Sequence, residues 1–181
     1  MMKSAPGVAL SLLLTACGPA ADAPGAGNAQ SSGAMSDKLR IPVLLVPEGG
    51  KAHRLSAEIA LTPEEQARGL SGRKSIGADD AMIFPLFPPR LPSFWMKDTL
   101  VPLDIIFVRT DGTIDMIAAN AKPLDLTPIS SGTPASGVIE LRGGQAKKLG
   151  LDVGDRVSWG ACTTDPAARP AMSAENFCPA P

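Results

Sequence analysis

The chain is predicted to fold as a compact, mostly β domain, and three observations lead there. Its apolar runs are short and separated by Gly, Pro and Asp-Gly turn signals. Only two segments carry the start or stop chemistry of a helix, and both are brief. No βαβ unit recurs and no internal repeat is present, so a doubly wound parallel sheet has no basis in the pattern.

Leu39 to Val46 reads as the first strand. Pro42 withholds an amide hydrogen within it, so a sheet edge is expected there. Glu48-Gly49-Gly50 turns the chain, and Lys51 to Leu61 alternates apolar with polar residues as the returning strand. Thr62-Pro63-Glu64-Glu65 is a helix start: Thr62 caps, Pro63 suits the first helical position and Glu65 completes a capping box. Gly69 stands where a left-handed stop belongs. Leu70 is expected to pack inward, and Ser71 to Asp80 reads as loop.

Ala81 to Phe84 is a short apolar strand. Pro85, Pro88, Pro89 and Pro92 are expected to break the next segment into an irregular loop. A short strand over Phe94 to Met96 would place Trp95 and Lys97 on one face and turn Met96 into the core. Leu103 to Val108 and Ile114 to Ala119 form the best-marked hairpin, because Asp111-Gly112 supplies the positive φ values of a tight turn. Asn120 to Gly137 is a long connection. Val138 to Leu141 is a strand, and Gly143-Gly144 leads into a helix from Gln145 to Leu149 that Gly150 ends. Arg156 to Trp159 is the last strand.

An export signal precedes this fold. Lys3 supplies a positive residue, and Val8 to Leu14 is an apolar run too short to span a bilayer as a mature helix. Leu14-Thr15-Ala16-Cys17 then matches the bacterial lipobox, whose cysteine thiol carries a diacylglyceryl group. Residues 1–16 therefore read as a lipoprotein signal peptide, with Cys17 as the lipidated residue. The rival is an ordinary secretory signal with a chance cysteine. Two or three acyl chains anchor stably where one binds marginally. Gly18 is not the aspartate that signals inner-membrane retention in enteric bacteria. The expected location is thus the cell envelope, facing the periplasm, with the outer membrane favoured over the inner. Residues 17–37 are small and polar and read as a flexible tether. The β domain is placed at 38–160 and a C-terminal tail at 161–181.

Loss of Lys3 with the signal leaves 16 basic against 18 acidic side chains. No basic stripe exists, so nucleic acid is not an expected partner. With Cys17 consumed by lipid, Cys162 and Cys178 remain. In an oxidising compartment they are expected to pair and staple the Pro/Ala-rich tail, which the chain-entropy model values at about 3 kcal/mol. The rival is a redox or metal site, but the spacing is not that of a CxxC motif and no histidine lies near.

Four segments carry a resemblance: Pro63-Glu64-Glu65-Gln66-Ala67-Arg68-Gly69-Leu70, Phe94-Trp95-Met96-Lys97-Asp98-Thr99, Pro102-Leu103-Asp104, and Glu140 with the glycines after it. Together they resemble the DUF192 family, the UPF0127 proteins, over about residues 39–159. Asp98 stands where that family usually carries asparagine. The resemblance implies a sandwich or barrel of jelly-roll type and no established biochemical activity.

Most catalytic constellations are absent from the chain. His53 is the only histidine, lies in an expected strand between Lys51 and Arg54, and reads as solvent-facing. No thiol is left over for nucleophilic work. No His/Cys/Asp/Glu cluster has zinc spacing, and Gly143-Gly144 is not followed by the Lys-Ser/Thr of a phosphate loop. Neither a cofactor nor a metal is expected.

The candidate ligand-binding set is Arg68, Trp95, Lys97, Thr99, Asp104 and Glu140. Charges embedded in apolar strands need partners, so Arg68 or Lys97 is expected to pair with Asp104 or Glu140. Two readings are open. In one, the set forms a pocket with an aromatic wall and a cation for a small anionic ligand. In the other, it is an internal ion-pair network locking strand to helix. Of Phe94, Trp95 and Trp159, at least two are expected in the core. The leading functional reading is a non-catalytic binding or interaction module, its partner a small anionic ligand or an envelope protein. The alternative is a hydrolase acting on a cell-envelope saccharide, with Asp104 and Glu140 as its acid/base pair across an open cleft.

Overall fold

A computed structural model describes residues 39–164 and 171–179. The expected signal peptide, the lipid site at Cys17 and the tether lie outside the described residues. Among the described residues no helix is long and apolar enough to cross a membrane.

Seven strands form one curled sheet, a half-barrel, in the order β5-β4-β6-β3-β2-β1-β7. These are β1 Arg40–Val46, β2 His53–Ile59, β3 Asp80–Arg90, β4 Leu103–Arg109, β5 Ile114–Ala121, β6 Ala135–Arg142 and β7 Arg156–Trp159. Two short helices, α1 Pro63–Arg68 and α2 Gln145–Lys148, complete it. All neighbours are antiparallel except β2 and β3, which run parallel because α1 carries the chain across between them. The two edge strands meet at one end of the curl. There Ile114 donates to the Asp155 carbonyl (2.8 Å) and Val157 to that of Gly112 (2.7 Å).

Alternation along the central strands divides the apolar residues between two faces. Ile106 and Val108 of β4, Ile139 and Leu141 of β6, and Val157 and Trp159 of β7 belong to the inner core. Leu103, Ile105 and Phe107 of β4, with Met82, Phe84 and Val138, belong to an outer core. Leu70, Ile76 and Met96 cover that outer core from the loops.

Local signals in the sequence hold where neighbouring residues decide the outcome. Thr62 Oγ1 accepts from the Glu65 amide (3.2 Å), and Glu65 Oε2 accepts from the Thr62 amide (3.0 Å), closing the capping box. Gly69 ends α1 at φ 49°. Gly112 has φ 83° in the β4–β5 turn.

Four expectations need correction. Pro42 does not mark an edge strand, since β1 lies between β2 and β7. The β7 ladder, however, pairs only Val43 to Val46, so Pro42 sits beyond it and no β7 acceptor goes unmet. β3 runs on through its prolines to Arg90, with a register shift against β6 between Pro85 and Arg90 absorbing the missing donors. Phe94 to Met96 forms no strand; Phe94 makes only an isolated bridge to Ile129. His53 is half-buried at the head of β2.

The C-terminal segment joins the core. Cys162 and Cys178 form a disulfide with Cα atoms 5.2 Å apart. Beside it Phe177 is buried and stacks on Trp159, the ring centroids 4.3 Å apart. The Trp159 Nε1–H donates to the Ala174 carbonyl at 3.1 Å.

Candidate functional site

The site is built on the outer face. Helix α1 is capped at its start and stopped by Gly69, which lays its C-terminal end over β3 and β6. A Cβ at Gly69 would come within 3.3 Å of the Phe84 ring and 3.6 Å of Glu140 Oε2. Glycine is therefore needed there both for the backbone angle and for the close approach. Gln66 pins the helix from below, its amide donating to the carbonyls of Ala60 and Pro85 at 3.2 Å each. Its Oε1 accepts from Arg90 Nη2 at 2.8 Å.

Between α1, β3 and the loop after β3 lies a cavity of about 270 Å³. Residues 66–71 form one side. Phe84, Leu86 and Arg90 of β3 and residues 91–95 form the other, while Thr99 and Glu140 complete the lining. Phe94 stands edge-on to Phe84 (5.0 Å) and to Phe107 (6.0 Å), which fixes the aromatic wall. Trp95 is 57 % exposed and reaches into solvent at the rim. As expected, Trp159 is in the core and Phe94 packs against the outer one.

Glu140 is the anomaly of the site. It is a buried carboxyl whose Oε2 has no hydrogen-bond partner among the described residues. Burial pushes its pKa up to about 8, opposed only by the charge of Arg73. Arg73 is itself committed, gripping Glu58 through two bonds of 2.8 and 2.5 Å. Burial thus favours the protonated, neutral form of Glu140.

Four of the six expected residues gather here: Arg68, Trp95, Thr99 and Glu140. Asp104 and Lys97 do not. Asp104 pairs in register with Leu141, whereas Glu140 pairs with Ile105, so the two carboxylates project from opposite faces. Asp104 is fully buried on the inner side. Its oxygens accept the amides of Asn120 (2.8 Å), Gly144 (3.0 Å) and Ala146 (2.8 Å), holding the start of α2. The expected acid/base pair across one cleft therefore does not form.

The expected ion pairing of Arg68 or Lys97 with these carboxylates is also absent among the described residues. Backbone amides serve Asp104, and burial favours the neutral form of Glu140. Lys97 is exposed and contributes its carbonyl, which accepts from Ser71 Oγ at 3.2 Å. Asp98 adopts φ 55°, a conformation that asparagine and aspartate enter more readily than most residues, so both suit this position through the backbone. Arg90 and Gln66 were not among the residues expected from sequence. The Gln66 signal was present in the Pro63–Leu70 motif; that of Arg90 was hidden behind the prolines of β3. No group of described residues could hold a metal ion.

Fold and site together define a small β domain with a side pocket closed by a capped helix. The DUF192 family model, described as uncharacterized ACR, matches residues 44–159, and the chain belongs to that family. A crystal structure of a protein of unknown function from Novosphingobium aromaticivorans is 42% identical, with a TM-score of 0.66 over 70% of this chain and 90% of that one. A putative transcription regulator from Sinorhizobium meliloti is 36% identical, with a TM-score of 0.65 over 67% of this chain and 95% of that one. No curated protein matches the chain.

Proposed function

We propose that this chain is a lipid-anchored envelope protein, facing the periplasm, whose DUF192 domain is a non-catalytic module that binds a small molecule in the side pocket. The observation that carries this is Glu140: a buried carboxyl oxygen without a partner among the described residues, at a cavity also lined by two arginines. A carboxyl placed for stability alone would be expected to find a donor or give way to an apolar residue, because an unsatisfied buried polar atom is costly. The arginines Arg68 and Arg90 favour an anionic guest. The non-catalytic reading rests on the separation of Asp104 from Glu140 by the thickness of the sheet.

Two measurements test this. Native purification of the full chain followed by mass spectrometry of released small molecules should find a guest in wild type that Trp95→Ala reduces. Equal or absent guest content in both folded proteins counts against the pocket. Radiolabelled palmitate should enter the wild-type chain in bacterial cells and fail to enter Cys17→Ser; labelling of neither removes the anchor.

A further inference from the structure

We propose that the pocket takes a small monocarboxylate with an apolar body, its carboxylate held between the Arg90 guanidinium and the Glu140 carboxyl. The inference rests on the binding reading above and adds the chemical class of the guest.

Three observations converge. The first is the Glu140 Oε2, buried and without a partner among the described residues. Ionised, it would be an uncompensated buried charge; protonated, it is a donor with no acceptor among the described residues. A pKa near 8 agrees with the second state. The acceptor must then come from the guest.

The second is Arg90. Its Nη2 is held by Gln66, and Gln66 is held by two main-chain carbonyls, so the guanidinium is placed in advance of any ligand. One bond uses one of five N–H donors, and no carboxylate forms an ion pair with Arg90 or Arg68 among the described residues. A planar guanidinium fork matches a planar carboxylate. An amine guest would face the two cations Arg68 and Arg90 with a neutral Glu140 and gain nothing.

The third is the remainder of the lining. Phe84, Leu86 and Phe94 present carbon to the cavity, so the body of the guest is apolar. A volume of about 270 Å³ sets a guest on the order of ten non-hydrogen atoms, at roughly 30 Å³ for each water-sized unit.

The test titrates the full chain in detergent with benzoate, benzylamine, benzyl alcohol and phenyl phosphate, following the fluorescence of the rim residue Trp95. Benzoate should saturate and benzylamine should not. Arg90→Ala and Glu140→Leu should each weaken benzoate by about tenfold or more, as loss of a hydrogen bond to a charged group does. Glu140→Gln keeps an N–H donor and should stay within about threefold of wild type. If Glu140→Leu does not fold, Arg90→Ala and Glu140→Gln decide. Benzyl alcohol, benzylamine or phenyl phosphate binding as tightly as benzoate overturns the carboxylate class and leaves the pocket standing. Benzoate binding that Arg90→Ala does not change overturns the proposed contacts. No response to any probe overturns this inference, while a guest co-purifying under those conditions would still uphold the binding reading.

Discussion

Glu140 is where burial and charge conflict. Its folded pKa lies near 8 against an ordinary 4.5. Between those values the folded chain binds more protons than the unfolded one, so stability present at low pH is lost as pH rises through 8. Urea unfolding of wild type should show a loss on the order of 3 kcal/mol between pH 5 and pH 8.5, and Glu140→Gln should flatten that slope. A wild-type stability that does not change across this window would show that the carboxyl is not held as described. Asp111 and Asp115 act in the opposite window. The Thr113 and Thr133 hydroxyls lower their pKa values, so their contribution is lost only as pH falls below the ordinary carboxylate range. At Gly69 a methyl group meets both a positive φ and the Phe84 ring. Gly69→Ala should cost about 1–3 kcal/mol and reduce guest content together.

At the scale of elements, the two helices are held by unlike means. Helix α1 carries its own cap, and Thr62→Ala should cost about 1 kcal/mol in chemical denaturation. Helix α2 begins at Gly144 with no side-chain cap of its own. A carboxylate forty residues earlier supplies it, from β4. Asp104→Asn replaces one acceptor by a donor against buried amides and should cost about 3 kcal/mol, much more than the loss of the local cap. Equal effects of the two substitutions would refute this ranking. The difference bears on the proposed binding because α1 forms one side of the pocket, whereas α2 contributes Ala146 to the inner core.

The whole molecule is closed by its C-terminal segment. The disulfide fastens residues that also bury Phe177 against Trp159. Replacing Cys178 by serine should lower stability by about 3 kcal/mol in the chain-entropy account, and Phe177→Ala by about 3–5 kcal/mol through its cavity. Thermal melts of both variants, each with and without reductant, separate the contributions. Reductant should destabilise Phe177→Ala further and leave the cysteine variant unchanged.

Nearest neighbours in the chain determined a good deal without help: the capping box at Thr62–Glu65, the stop at Gly69, the Asp-Gly hairpin, the strand at Arg156–Trp159 and the pairing of the last two cysteines. The first four are decided within a few residues, and the two cysteines are the ones that lie in the C-terminal segment. The family motif likewise marks Arg68, Trp95, Thr99 and Glu140 without any knowledge of geometry. Tertiary structure alone decided which side of the sheet each carboxylate occupies. Side chains alternate at every residue, and the register of β4 against β6 joins segments some thirty-five residues apart. It also carried β3 through its prolines, because the β6 ladder tolerates a shift there, and so brought Arg90 to the pocket. Long-range register, which no local signal encodes, separates an Asp104 that holds backbone amides from a Glu140 that lines the cavity.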